Sequence, residues 1–178
     1  YYNKPTPKGL YRHYSEIART GAEIIVYNVP GAPRNIVYYY FARTGAEIIV
    51  YNVPGRTGLN ISPEALTRLA EIENIVAVKE ASGDHGRFAD YLDAVGTERF
   101  TFLSGDDFTV VPFISMGGKG VISVFTNVLP ELGVAMVEKA LKGEFGQASD
   151  IQISLNKLNH AMFIETSPLP AKTSLWMM

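Results

Sequence analysis

Three kinds of side chain in this sequence have the type and setting for carbonyl chemistry. Lys79 closes the apolar run of "NIVAVKEASG", at the carboxyl end of a strand-like segment. An ordinary lysine, with a pKa near ~10.4, is only ~0.04% neutral amine at pH 7. Burial disfavours the ammonium, and a pKa lowered to ~7–8 supplies the nucleophilic amine that an imine-forming lysine needs. The same residue can instead snorkel to the rim of a sheet or pair with Glu80.

Tyr27 and Tyr51 each end an "IVYNVPG" run just before a Pro-Gly turn. A phenol held there in a hydrogen-bonded chain can pass protons to and from an imine, or can simply cap a buried strand with its polar tip. Arg56 follows Tyr51 in "RTG". It offers a bidentate grip on a substrate carboxylate or an ordinary surface charge. Tyr27 has no such neighbour, because its copy continues as "APRN".

Other motifs carry less. "GGKG" at 117–120 lacks the spacing and the lysine-serine/threonine ending of a phosphate loop, and reads as a helix stop feeding a strand. "SGDD" at 104–107 can bind a cation or cap a helix. His13, His85 and His160 show no metal-ligand spacing, so no metal site is expected.

The elements that must position these residues alternate between helix-like and strand-like. Helical spacing marks 9–20, 62–72, 86–96, 106–118, 130–143 and 146–165, with Ser62 as N-cap and Pro63 at the first helical position. Short apolar runs at 22–29, 35–41, 46–53, 74–80, 100–105 and 119–125 read as strands, and the chain is expected to end in a Pro-broken segment. Strands apolar on both faces, each followed by a helix, imply a parallel sheet covered by helices. The Met and Phe residues of the late helices are expected in the core.

Hydrophobic residues make up 47% and charged residues 19% of the 178, and the net charge is −2. That balance gives an ordinary globular chain with nothing to attract nucleic acid or an anionic membrane. No apolar run approaches the ~20 residues of a membrane helix. Without cysteine there are no disulfides or thiolate nucleophiles, which suits a reducing cytoplasm. The segment "ARTGAEIIVYNVPG" is written twice, at 18–31 and 42–55, doubling the strand that bears the tyrosine.

Six stretches taken in order, "YYNKP", "YNVPGRTG", "NIVAVKEASGD", "FTFLSGDD", "GGKGVISV" and "ETSPLPAK", resemble the dihydrodipicolinate synthase family of the class I Schiff-base aldolases, the superfamily that includes N-acetylneuraminate lyase. The resemblance covers residues 1–31 and 46–178. It implies a partial (β/α)8 TIM barrel, with strands equivalent to the fifth to eighth plus the C-terminal helices, and extra strands from the duplicated segment. The partial barrel would occupy 1–143 and a C-terminal helical segment 144–178.

Lys79 matches the lysine that forms an imine with pyruvate. Tyr51, or Tyr27 if the first copy holds the native place, matches the proton-relay tyrosine, and Arg56 favours Tyr51. Tyr2 matches the tyrosine given across a subunit interface, Arg56 the arginine that receives aspartate semialdehyde, and Ile122 a residue lining the pyruvate site. The implied reaction condenses pyruvate with L-aspartate-4-semialdehyde in a cytoplasmic homo-oligomer, with no metal or organic cofactor. The "GTTGE"-like loop that completes such a site has no counterpart here, and the chain is expected to open at the end of strand four. A non-catalytic half-barrel that self-associates, or a related pyruvate aldolase, is the alternative.

Overall fold

The structure is a computed structural model that describes residues 47–98 and 100–178. The strands and helix expected at 9–41, together with Tyr2 and Tyr27, lie outside the described residues. The remainder is a parallel four-stranded sheet in the order β1 (Ile48–Asn52), β2 (Ile75–Glu80), β3 (Thr101–Ser104), β4 (Gly120–Val121). Helices run between successive strands: α1 (Pro54–Thr57) and α2 (Pro63–Ala70) after β1, α3 (His85–Val95) after β2, α4 (Val110–Ser115) after β3. A 3-10 turn (Phe125–Asn127) then leads to α5 (Pro130–Leu141), α6 (Phe145–Ser154), α7 (Asn156–Met162) and α8 (Leu169–Met177). The architecture is that of a partial (β/α)8 barrel.

Register decides which residue faces which way. Residues level with one another on parallel strands point to the same face, and successive residues alternate. Val50, Val78 and Phe102 are level and buried, and they join Leu66, Phe88, Tyr91 and Phe113 in one core between sheet and helices. Phe88 stacks on Phe113 with ring centroids 3.9 Å apart, and Phe102 tilts against Phe88 at 5.5 Å. Tyr51, Lys79 and Leu103 are level one residue further along, and so belong to the opposite face. Asn52, Glu80 and Ser104 return to the helix side at the carboxyl ends of the strands.

The helices start where the sequence signals them. Ser62 accepts from the Ala65 amide at 3.2 Å, with Pro63 in the first turn of α2, and Asp84 caps α3 through the Arg87 amide at 3.0 Å. A second core joins Val110, Val111, Ile114, Phe125, Met136, Ala140, Ala148, Leu155, Met162 and Ala171. Gln152 ties α6 to the start of α4, accepting from the Val111 amide at 2.7 Å and donating to the Phe108 carbonyl.

Five expectations need correction. The strand expected over 119–125 is only Gly120–Val121, because the Asp107 carboxylate draws the Val124 and Phe125 amides out of strand geometry at 2.9 and 3.2 Å. The helix expected over 106–118 is confined to Val110–Ser115 and closes before Gly117 at φ 123°. The single helix expected over 146–165 is two helices meeting at Leu155, and the Pro-broken end is the helix α8, with Pro168 as its N-cap and Pro170 in its first turn. Of the late Met and Phe residues, Met136 and Met162 are core, but Phe145, Phe163, Met177 and Met178 are exposed.

Candidate active site

The candidate centre is built by the step between β1 and β2. Lys79 sits level with Tyr51, and its Nζ lies 4.2 Å from the centre of the Tyr51 ring. Ile75, Ala77 and Val78 bury the strand beneath it, so its half-buried ammonium loses hydration. Burial drives its pKa down to about 8; the Asp107 carboxylate pulls it upward, and the Arg56 guanidinium presses it further down. A cation over an aromatic face is itself favourable, so the tyrosine partly compensates the lost water while leaving the amine close to neutral pH.

Room for the lysine stem comes from Gly105. A Cβ at that position would lie 2.8 Å from Lys79 Cε, 3.0 Å from its Cγ and 2.6 Å from Ala81 Cβ. The Gly105 amide also donates to the Glu80 carbonyl at 2.6 Å, which fixes the loop after β3 against β2. Two residues on, Asp107 is buried at 1% exposure. Its Oδ2 accepts from Val124 and Phe125, its carbonyl accepts from Asn159 Nδ2 at 3.0 Å, and its Oδ1 has no hydrogen-bond partner. Burial raises the Asp107 carboxyl above the usual aspartate range.

Arg56 lies exposed on α1, a single helical turn opened by Pro54, where a Pro-Gly turn was expected, and closed by Gly58 at φ 67°. The Ile122 amide donates to the Ser104 carbonyl at 2.9 Å, which places the residue directly beyond β4 at the same end of the sheet. The structure thus brings Lys79 and Tyr51 into contact and sets Arg56 on α1 and Ile122 just beyond β4 at that rim. Tyr2 and Tyr27 lie outside the described residues.

Glu80 does not take the role of partner to Lys79, because strand alternation sends it to the other face. There its two oxygens accept from Asn52 Nδ2 at 2.7 Å and from the Ser82 amide at 2.6 Å, and burial raises its carboxyl above the usual range. Sequence reasoning passed over Asn52 and read Gly105 and Asp107 only within "SGDD", as a cation-binding or helix-capping stretch. The signal for Asn52 and Gly105 was their place at strand ends; that for Asp107 was the second of two aspartates after the strand-end glycine. In "SGDD", Asp106 accepts from the Phe108 amide and the Thr109 hydroxyl. No group of three metal-ligating side chains occurs among the described residues.

Two crevices open among the described residues. One is lined by Glu80, Asp84, His85, Ser104, Asp106 and Thr109, on the helix side of the sheet. The other lies between α2 and α3, at the far end from the strand tips, lined by Thr67, Ala70, Glu71, Ala94, Val95 and Phe100. Lys79 and Tyr51 line neither.

Comparison with known proteins gives the centre a context. The family model described as "Dihydrodipicolinate synthetase family" matches residues 1–37 and 33–178. The chain is 40% identical over 176 residues to a 4-hydroxy-tetrahydrodipicolinate synthase of an Anaeromyxobacter species, covering 98% of this chain and 52% of that protein. The protein of the same name from Thermodesulfovibrio yellowstonii is 43% identical over 179 residues, covering 100% of this chain and 53% of its own. The crystal structure of dihydrodipicolinate synthase from Aquifex aeolicus superposes with a TM-score of 0.85 at 36% identity, over 97% of this chain and 61% of that one. The chain spans about half the length of the curated relatives it matches.

Proposed function

Because the chain belongs to the dihydrodipicolinate synthetase family, we propose that it carries the imine-forming part of a 4-hydroxy-tetrahydrodipicolinate synthase, joining pyruvate to L-aspartate-4-semialdehyde on the route to diaminopimelate and lysine. In this reading the neutral amine of Lys79 attacks the keto carbon of pyruvate, and water leaves as the imine forms. Loss of a methyl proton gives an enamine whose carbon attacks the aldehyde. Tyr51 passes the protons, Tyr2 reaches a neighbouring subunit's relay, and Tyr27 takes the part of Tyr51 if the first copy holds the native place. Arg56 receives the second substrate's carboxylate, and Ile122 lines the pyruvate site. The partial barrel is taken to end near 143, followed by the helical segment 144–178. The reading places the protein in the cytoplasm as a homo-oligomer acting on small molecules, without an organic cofactor.

The observation that carries this reading is an amine lowered to about 8 and set against a tyrosine one strand away. Its test is to incubate the protein with pyruvate, reduce with borohydride, and map the adduct by mass spectrometry. Attachment to Lys79, lost in Lys79→Ala, supports the proposal; unmodified protein at millimolar pyruvate refutes it. One feature favours a rival, a non-catalytic half-barrel that self-associates: Leu169, Leu175, Trp176 and Met177 of α8 are exposed apolar side chains. In that case trapping fails while the protein sediments as an oligomer.

A further inference from the structure

A buried polar network lies directly behind the Lys79–Tyr51 contact. Asn52 and Glu80 are the next residues along the same two strands, level with each other and exposed by only 1% and 4%. Asn52 is fully engaged: Nδ2 donates to Glu80 Oε2 at 2.7 Å and to Asn60 Oδ1 at 2.8 Å, while Oδ1 accepts from the Ile61 amide at 3.0 Å. The Ile61 carbonyl is held as well, by the Tyr91 hydroxyl at 2.6 Å and by Arg87 Nη1 at 3.5 Å. Burial raises the Tyr91 phenol, so it stays a donor.

These bonds grip the far end of the loop that carries Arg56. Its near end is fixed by the chain leaving β1, where the Arg56 and Thr57 amides donate to the Val53 carbonyl at 2.9 and 3.1 Å. Arg56 itself is exposed and rides between two anchored points. A long guanidinium reaches one carboxylate reproducibly only if its backbone is held, since a displacement of about 1 Å can cost ~100-fold in a positioned reaction. A satisfied buried network is the means by which folds impose such rigidity.

We infer that Asn52 and Glu80 form a positioning clamp that holds the Arg56 loop at the rim beside Lys79 and Tyr51. The catalytic part of this inference rests on the proposed function; the loop-holding part stands on the geometry alone. Glu80→Gln leaves one amide hydrogen facing either Asn52 or the Ser82 amide, and Asn52→Asp sets two carboxyls together and removes both donors. Combining the two substitutions reverses the polarity. The new amide at position 80 donates to the new carboxylate at position 52, which still accepts from the Ile61 amide, and Asn60 turns its own amide to donate.

The first readout is limited trypsin cleavage after Arg56 in the full chain, scored against cleavage after Lys142 and Lys157. Each single variant should speed the Arg56 cut ~10-fold, the effect of about one charge-assisted hydrogen bond, with the distant cuts unchanged; the double variant should return toward wild type. The second is borohydride trapping with pyruvate across a range of aspartate semialdehyde. Here the single variants should keep the Lys79 imine and raise the semialdehyde concentration needed to consume it ~10-fold. Equal Arg56 cleavage in wild type and single variants, or a double variant worse than both, overturns the clamp. Failure of the wild type to trap pyruvate at all overturns the proposed function instead, and the cleavage result still decides the clamp.

Discussion

Lys79 titration is the most direct quantity to measure, because its surroundings act on it with opposite signs. With a pKa of about 8, roughly 10% of the amine is neutral at pH 7, against ~0.04% for an ordinary lysine, a gain of ~250-fold. The rate of borohydride-trapped adduct at low pyruvate should therefore climb about tenfold per pH unit and level off near pH 8. The perturbations are Arg56→Ala and Asp107→Asn. Arg56 presses the pKa down, so its removal should move the inflection up; the Asp107 carboxylate pulls it up, so its neutralisation should move the inflection down. Both shifts should be smaller than the one burial produces, since burial is the largest cause. An inflection near the value of a free lysine, or both variants moving it the same way, would refute the electrostatic account of the site. Arg56→Ala thus tests more than the grip on a second substrate, because it also reaches the imine step.

Three further outcomes follow from the same geometry. Lys79 binds fewer protons folded than unfolded between pH 8 and the ordinary lysine value, so stability should rise with pH across that window; Lys79→Met should abolish the slope and, after a discount for partial exposure, gain ~2 kcal/mol at pH 7 in urea titration. Gly105→Ala should cost ~1–3 kcal/mol and slow adduct formation, because the added methyl meets Ala81 Cβ at 2.6 Å and Lys79 Cε at 2.8 Å; normal trapping would show that the lysine stem does not need the space. Phe88→Ala, which removes a ring stacked at 3.9 Å on Phe113, should cost ~3–5 kcal/mol by the same titration.

What could be read from the sequence was what local chemistry decides. Ser62 followed by Pro63 announces a helix start, and "NIVAVKE" announces a buried strand with a lysine at its tip; both appear as expected. The Lys79–Tyr51 contact was approachable because both residues end strands, and level pairing of neighbouring strands then joins them. Long-range contacts set the rest. The run at 119–125 is apolar enough for a strand, yet an aspartate 17 residues upstream takes the Val124 amide. Glu80 beside Lys79 in sequence suggested an ion pair, and only the pleat, with Asn52 waiting across the sheet, sends it elsewhere. The helix at 169–177 was hidden by prolines that break helices inside but are tolerated at their beginnings.

The alternation along β1 has a consequence for the repeated segment. The proposed proton carrier and the proposed fastener occupy adjacent letters, Tyr51 and Asn52, so the repeated segment carries both letters again as Tyr27 and Asn28. The spacing of the fastener's partners is not inherited: "RTGLNI" follows only the second copy, and the pair Asn35–Ile36 that follows Tyr27 stands one residue nearer than Asn60–Ile61 stand to Tyr51. Copying these letters therefore copies the tyrosine–asparagine pair without the downstream spacing that holds Asn52 in place.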